Sequence, residues 1–126
     1  TGRIKEQYKL ENGKYVVPAP LEEALQLSPL IGQAFIYGDN RPFNVALVTR
    51  DPESPESMDA TVAQLRAEVD RLSAGFARYA RPKVVAVLDE AFSVENGLLT
   101  PKMSTRRQQV VQRYSGLLDS LYPDML

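Results

Sequence analysis

The stretch QAFIYGDNRPFNVALVT, residues 33–49, decides the fold because it holds two β-rich runs separated by residues that favour turns. Gln33 to Tyr37 and Asn44 to Thr49 are rich in the apolar, aromatic and β-branched residues that are typical of strands. Between them, Gly38-Asp39-Asn40-Arg41-Pro42 indicates a hairpin-like connection, since glycine, aspartate, asparagine and proline dominate turns. We therefore predict two neighbouring strands that supply the central sheet.

A long amphipathic helix and a third strand are predicted downstream of these strands. Five apolar residues recur three or four positions apart, which places them on one helix face that packs against a core: Val62, Leu65, Val69, Leu72 and Phe76. Lys83 to Leu88, entered through Pro82, indicates a further buried strand. Asp51 to Ser57 is rich in proline, serine and acidic residues, and we predict a surface loop there.

The N-terminal part predicts a β-hairpin over residues 4 to 17. Two short runs, Ile4 to Leu10 and Lys14 to Val17, flank Asn12-Gly13, a dipeptide whose positive φ angles suit a tight turn. The first of these strands is short and charged, so we expect the hairpin to lie at a surface.

Two more helices are predicted, one after the hairpin and one near the end of the chain. Pro20 followed by Leu21-Glu22-Glu23 is typical of a helix start, with acidic side chains near the positive end of the dipole. This helix is expected to end near Ser28-Pro29. The last helix has Thr100 as its predicted N-cap and Pro101 as its first residue. Four residues mark its apolar face: Val110, Tyr114, Leu117 and Leu121.

Together these elements predict an α+β fold with a small, three-stranded mixed central sheet flanked by helices and preceded by an N-terminal β-hairpin. The 126 residues are about the usual size of one domain, and 44% apolar residues are ordinary for a globular protein, so we expect one core. Because residue 1 is threonine and leads directly into strand-like sequence, we expect residues 1–126 to be one domain of a longer protein.

Charge and composition disfavour several classes of function. Fifteen lysines and arginines against sixteen aspartates and glutamates leave no positive field for a nucleic acid. Without cysteine or histidine, catalysis has to rely on lysine, arginine, carboxylates or hydroxyls. Apolar runs of about five residues are too short for a transmembrane segment, and no signal-peptide pattern opens the chain. We expect a cytoplasmic location for the longer protein that contains this chain, called the parent below. Its peripheral association with a membrane is left open.

The sequence contains no complete active site. A serine–histidine–acid set, a cluster of metal ligands and a phosphate-cradling glycine loop are all missing, so we expect the chain alone to be inert. Two polar segments, Gly2 to Lys14 and Glu95 to Arg107, place lysines and arginines around glycines in exposed turns. Such side chains are commonly just solvated, but they can also clamp a phosphate or a developing negative charge supplied by another domain.

Both polar segments resemble elements of the C-terminal domain of adenylate-forming enzymes, in the long-chain acyl-CoA synthetase branch. The first segment carries Thr1-Gly2-Arg3-Ile4-Lys5-Glu6, then Tyr8 to Val16, then Pro18-Ala19-Pro20-Leu21-Glu22. The second carries residues 92–103 (FSVENGLLTPKM), followed by Arg106-Arg107, and is similar to the terminal lysine loop of that family. The two elements occur in the family's order, about 90 residues apart, so the resemblance covers essentially the whole chain.

The resemblance implies a lid for an active site that lies mainly elsewhere. In that family a large N-terminal domain binds ATP with Mg²⁺, fatty acid and CoA. The small domain closes over it for acyl-adenylate formation and then rotates for the attack by CoA. Arg3 matches the arginine that contacts the ribose of the nucleotide, and Lys5 matches the hinge, which needs accessible backbone torsions more than a particular side chain. The turn at Gly13 matches the loop that faces the active site in the thioester-forming pose, and Lys9 falls near a lysine that some relatives use in that step.

The terminal lysine is where this sequence departs from the family pattern. A gapless match on Leu99-Thr100-Pro101 and Arg106-Arg107 puts Ser104 at the position of the catalytic lysine, and Lys102 lies two residues earlier. A serine hydroxyl cannot offset the negative charge that accumulates on carboxylate and α-phosphate oxygens, whereas an ammonium can. Because a lysine side chain is long and flexible, Lys102 is our candidate for the catalytic role, and a solvent-facing Lys102 in a first helical turn is the alternative.

The sequence is consistent with three functions. The first is an ATP-dependent long-chain fatty acid:CoA ligase, of which this chain is the C-terminal domain. The second is an acyl-AMP ligase that passes the acyl group to a carrier protein. The third is a non-catalytic interaction module of the same fold, which Ser104 favours.

Overall fold

The structure, a computed structural model, describes residues 7–51, 53–88, 92–102 and 105–122. Their contacts form two compact units, Thr1–Asp89 and Glu90–Leu126, where chain length alone predicted one core. In chain order the first unit contains β1 (Tyr8–Lys9), β2 (Tyr15–Val16), α1 (Pro18–Leu25), β3 (Gln33–Tyr37), β4 (Val45–Thr49), α2 (Pro55–Asp59), α3 (Val62–Ser73), a 3₁₀ helix (Arg78–Ala80) and β5 (Val84–Leu88). The second unit contains α4 (Arg107–Arg113) and α5 (Ser115–Ser120).

The central sheet has three strands in the order β3-β4-β5 and is mixed, as predicted. β3 runs antiparallel to β4, with Phe35 opposite Leu47, and β5 runs parallel to β4, with Ala86 opposite Leu47. All five residues of β4 are buried, which explains why its sequence is continuously apolar rather than alternating. The α+β fold and its preceding β1–β2 hairpin are therefore confirmed.

The main core lies between α1, α3 and one face of the sheet. Buried side chains from both helices and from alternate strand positions form it: Leu21, Leu25, Leu65, Val69, Ala34, Ile36, Ala46 and Val48. Leu72 and Phe76 pack against this cluster while remaining partly buried. The prediction that an apolar stripe on one face of α3 packs against the core is thus correct for Leu65, Val69 and Leu72.

The two ends of that stripe differ from the prediction. Thr61 caps α3 in a capping box with Gln64, so Val62 is the first helical residue and is 54% exposed. At the other end α3 stops at Ser73, so Phe76 reaches the core from a turn beyond the helix. The Arg81 guanidinium donates to the carbonyls of Ala74 and Phe76, which stabilises this helix end.

Helix α1 begins at Pro18 rather than at Pro20, because Val17 is still extended and Pro18 occupies the first turn. This shift moves Glu22 into the middle of the helix, where it is buried, instead of the first turn near the positive dipole end. Its Oε2 accepts a hydrogen bond of 2.8 Å from the backbone N–H of Ile36 in β3. The residue that resembled a helix-start signal therefore joins α1 to the sheet.

The predicted surface loop before α3 is more ordered than its composition suggested. Pro55–Asp59 forms the short helix α2, which Ser54 caps, and Ser57 is fully buried. The Ser57 hydroxyl donates to the carbonyl of Leu30 and accepts from the N–H of Asp51, both at 2.6 Å. The loop prediction is therefore wrong for Ser57, whose partner in another segment no local pattern reveals.

The second unit corrects the prediction of one long terminal helix. Pro101 and Lys102 lie in a turn, so Thr100 does not cap a helix at Pro101, and α4 begins at Arg107. Tyr114, with φ −108° and ψ 21°, separates α4 from α5. Because of this break, the buried residues of α4 and α5 are Val110 and Leu118, and they do not continue as an unbroken stripe through Leu117 and Leu121.

No helix in the described ranges is long and apolar enough to cross a membrane, and the longest, α3, has 12 residues.

The Glu22 contact predicts a measurable difference between two adjacent acidic residues. Glu22→Ala leaves a buried N–H of β3 without this acceptor, which costs about 1–3 kcal/mol of unfolding free energy. Glu23, one position along and exposed, provides the matched control: Glu23→Ala should stay within about 0.5 kcal/mol of the parent sequence. Urea unfolding followed by circular dichroism measures both, and equal effects would show that the Glu22 contact contributes nothing.

A second prediction concerns pH. Hydrogen bonds from the Arg71 guanidinium, and then from the Ser28 hydroxyl, hold the pKa of the Glu68 carboxyl below its ordinary value. The folded chain therefore binds a proton there more weakly than the unfolded chain does. The resulting stability is fully present above the unfolded pKa and is lost as pH falls through the folded pKa.

We expect Glu68→Gln to be less stable than the parent sequence at neutral pH and to converge with it in acid, because the carboxylate and its ion pair are then lost in both. Thermal unfolding across a pH series measures the difference. A stability gap of constant size from neutral pH to acid would contradict the expectation.

Candidate functional site

The β1–β2 hairpin presents Lys9 and Gly13, two of the residues that the family resemblance singled out. Tyr8 pairs with Val16 and Lys9 with Tyr15. The Gly13 N–H donates to the Leu10 carbonyl at 2.9 Å, and the Leu10 N–H donates to the Lys14 carbonyl at 2.8 Å. These bonds describe a turn of the type I class followed by a residue in the left-handed region.

Only one residue of the predicted Asn12-Gly13 turn has a positive φ. Gly13 has φ +90°, whereas Asn12 does not adopt a positive φ. Instead, Asn12 Oδ1 accepts a hydrogen bond of 2.9 Å from the Lys14 N–H. The predicted two-residue turn is therefore wrong in detail. A side chain at Gly13 would meet open space, so the backbone angle and not crowding favours glycine there.

Two lysines of the hairpin lie above aromatic rings. Lys9 Nζ is 5.7 Å from the ring centroid of Tyr15, and Lys14 Nζ is 5.7 Å from that of Tyr79, in the 3₁₀ helix. Both lysines are exposed. Contacts of this kind stabilise a cation weakly and favour one direction of its side chain, so the hairpin offers two oriented ammonium groups to an anionic ligand.

Lys102 belongs to a short loop in the second unit. Leu99 and Thr105 form an isolated antiparallel bridge, so they close this loop, and Lys102 is the middle residue of the chain between them. The Arg106 N–H also donates to the Leu98 carbonyl at 2.8 Å. Lys102 itself is exposed, and it lies in a turn rather than in the first turn of a helix.

The base of this loop is held by a compact polar turn. Ser93 N–H donates to Asn96 Oδ1 at 3.0 Å, and Asn96 N–H donates back to Ser93 Oγ at 3.1 Å. Gly97 completes the turn with φ +82°, and Leu98 and Leu99 are buried. The loop thus carries the exposed Lys102 on a hydrogen-bonded base.

The remaining predicted site residues are Arg3, Lys5 and Ser104, and these lie outside the described residues. Lys9 and Gly13 share the hairpin of the first unit, and Lys102 belongs to the second. Among the residues that the structure describes, no group of three or more histidines, cysteines, aspartates or glutamates is placed to hold a metal ion.

Sequence reasoning missed the residues that hold these elements in place. Ser93 and Asn96 fit a local side chain–backbone pattern that their spacing of three could have revealed. Asn44 is fully buried and contacts Tyr8, which lies 36 positions away in the chain. Only the sequence position of Asn44, as a polar residue at the start of an apolar strand, hinted at a special role.

Known proteins resemble this chain over nearly its full length. A long-chain-fatty-acid–CoA ligase of Mycobacterium tuberculosis is 34% identical over 142 residues, a match that covers 97% of this chain and 23% of that protein. A chloroplastic long-chain-fatty-acid–[acyl-carrier-protein] ligase of Arabidopsis thaliana is 32% identical, covering 96% of this chain and 17% of the relative. The chain therefore spans about a fifth of the length of these relatives.

Solved structures give the same result for the fold. The adenylation domain of a carboxylate reductase from Mycobacterium chelonae superimposes with a TM-score of 0.83 at 31% identity, covering 97% of this chain and 20% of that one. Residues 5–125 match the family of the AMP-binding enzyme C-terminal domain, a range that includes most of the first polar segment, all of the second and the sheet between them. The chain belongs to the AMP-binding enzyme C-terminal domain family.

Proposed function

We propose that this chain is the C-terminal lid of an ATP-dependent long-chain fatty acid:CoA ligase, closing over an N-terminal domain for acyl-adenylate formation and rotating for thioester formation. The observation that carries the proposal is the exposed Lys102 in the middle of a loop with a fixed base. The family and the ligase relatives support the reaction class.

The proposed role of Lys102 follows from charge. When a fatty-acid carboxylate attacks the α-phosphate of ATP, negative charge accumulates on phosphate oxygens, and a nearby ammonium stabilises that transition state. Lys102 is exposed, so its ammonium is available to a partner that approaches this loop. Ser104, at the gapless position of the usual lysine, has no cation to offer.

The hairpin has the second role in the proposal. After rotation, the Gly13 turn and Lys9 face the active site in the pose that forms the thioester, with Arg3 at the nucleotide ribose and Lys5 as the hinge. Lys9 is exposed and lies above Tyr15, so a cation is presented on a short, paired element rather than on a free tail. An oriented ammonium suits the phosphates of CoA better than a disordered one, because less side-chain freedom is lost on binding.

ATP with Mg²⁺, and CoA, are bound mainly by the N-terminal domain in this proposal. The exposed lysines of this chain suit a supporting role in that binding, since such lysines contact phosphates readily. When bound, Mg²⁺ neutralises phosphate charge. The proposal also includes a cytoplasmic parent.

A carrier protein is the competing acyl acceptor. The Arabidopsis thaliana relative is named as a ligase for acyl-carrier-protein, and its identity of 32% is close to the 34% of the CoA ligase. Supplying the full-length parent with palmitate, ATP and either CoA or a holo carrier protein separates the two. Thioester formation on the carrier alone would replace CoA in the proposal.

The first measurement is ATP–pyrophosphate exchange with palmitate by the full-length parent, beside the isolated chain. We expect exchange by the parent and none by the chain alone. A folded parent without exchange at any fatty-acid length would favour a non-catalytic interaction module, the function that Ser104 also favours.

Lys102→Ala in the full-length parent should lower the rate of fatty-acid-dependent exchange by about 10²-fold or more, because one preorganised cation is removed from the developing charge. Lys83→Ala is the matched control, since Lys83 is an equally exposed lysine of the first unit. Adding Ser104→Lys to the Lys102→Ala variant should restore part of the rate if an ammonium in this loop is what matters. An unchanged rate in Lys102→Ala would remove Lys102 from the mechanism.

A further inference from the structure

The hairpin that carries Lys9 is too short to be stable by itself. It has two residue pairs, Tyr8 with Val16 and Lys9 with Tyr15, whereas isolated two-stranded hairpins of greater length are already marginal in water. Its orientation must therefore come from contacts with the rest of the first unit.

One of those contacts is a hydrogen bond from a tyrosine hydroxyl to a buried amide. Tyr8 Oη donates to Asn44 Oδ1 at 2.5 Å, and Asn44, directly before β4, is fully buried. Asn44 Nδ2 donates in turn to the Ala80 carbonyl at 2.7 Å, and the Asn44 carbonyl accepts from the Lys83 N–H at 2.9 Å. One asparagine thus joins the hairpin, the 3₁₀ helix and the approach to β5.

The fold makes room for this amide at Gly38. A Cβ atom on Gly38 would collide with Asn44 Oδ1, the atom that accepts from Tyr8. Gly38, the first residue after β3, has no side chain and therefore leaves the space that the Asn44 amide occupies. A buried polar group with its donor and acceptor both paired holds its neighbours in one arrangement, because every alternative leaves a group unpaired.

Two main-chain hydrogen bonds lie beside this contact. The Asn40 N–H donates to the Lys9 carbonyl at 2.8 Å, and the Glu11 N–H donates to the Arg41 carbonyl at 2.9 Å. Both tie the hairpin to the β3–β4 connection, on either side of Leu10, which is buried. The hairpin is thus held by these two main-chain hydrogen bonds and by the Tyr8 hydroxyl, while Lys9 and the Gly13 turn stay exposed.

We infer that Tyr8 and Asn44 are positioning residues for the thioester-forming half-reaction, because their hydrogen bond sets the orientation in which the hairpin presents Lys9 and the Gly13 turn. The inference rests on the proposed function, in which the hairpin faces the active site only after the lid has rotated. Adenylation uses the Lys102 loop of the second unit instead. The two half-reactions should therefore depend differently on the Tyr8–Asn44 hydrogen bond.

Tyr8→Phe in the full-length parent tests this, since it removes one hydroxyl and keeps the ring. We expect palmitate-dependent ATP–pyrophosphate exchange to stay within about twofold, because adenylation does not use the hairpin. Thioester formation, measured in a single turnover from preformed palmitoyl-adenylate and CoA, should slow by about fivefold, the rate equivalent of one net hydrogen bond.

Tyr79→Phe is the matched control. It deletes the same atom from a ring that lies under Lys14, and in the described part of the chain the Tyr79 hydroxyl shows no hydrogen bond. Neither half-reaction should change. Asn44→Ala together with Tyr8→Phe forms a double-mutant cycle. If Tyr8 acts through Asn44, the double variant should carry out the thioester step no more slowly than Asn44→Ala alone.

A structural measurement keeps the inference testable apart from the chemistry. Hydrogen exchange of the parent, read on peptides that contain the Glu11 and Asn40 amides, should speed up in Tyr8→Phe but not in Tyr79→Phe. Unchanged exchange would overturn the positioning role itself. Equal losses in both half-reactions would overturn it too, since that pattern indicates general destabilisation. If the unsubstituted parent forms no adenylate, the proposed function fails, and the hydrogen-exchange result still decides whether Tyr8 holds the hairpin.

Discussion

Burial of β4 on both faces is the constraint on which the rest of the first unit depends. All five of its residues are inaccessible, with β3 hydrogen-bonded on one side and β5 on the other. A strand in the middle of a sheet can satisfy its backbone only if both neighbours are in register. The α2–α3 segment provides the long connection that the parallel β4–β5 pair requires.

The same arrangement explains where the candidate site residues of the first unit lie. Asn44 stands at the entry to β4, and its amide reaches the hairpin, while the strand behind it is fixed by its two neighbours. Lys9 and Gly13 are therefore carried on a surface element that is rigidly attached rather than integral to the sheet. In the second unit, the base of the Lys102 loop is held by the hydrogen bonds between Ser93 and Asn96 and by the bridge between Leu99 and Thr105.

Local patterns were sufficient for the strands and for the middle of α3. Gln33–Tyr37 matches the prediction to the residue, and Val45–Thr49 and Val84–Leu88 each begin one residue later than predicted. Local signals were ambiguous where proline was involved: Pro18 and Pro20 both suit a helix start, and Pro101 suits a turn as well as it suits a helix. The buried polar residues were not predictable, because Ser57 and Asn44 find their partners 27 and 36 positions away. For the site, the resemblance singled out Lys9 and Gly13 in the hairpin and Lys102 in the terminal loop, whereas the hydrogen bonds that support these elements were visible only in the structure.

The Glu22 contact also has a consequence for the edge of the sheet. β3 is an edge of the sheet, and an edge strand offers unpaired backbone donors to which a strand of another molecule can add. By accepting the outward N–H of Ile36, the Glu22 carboxylate removes one of those donors and places an acidic group beside this edge strand. An incoming strand would have to displace a buried, hydrogen-bonded carboxylate before it could pair there. The acidic residue in α1 thus opposes the addition of a further strand at this position of β3.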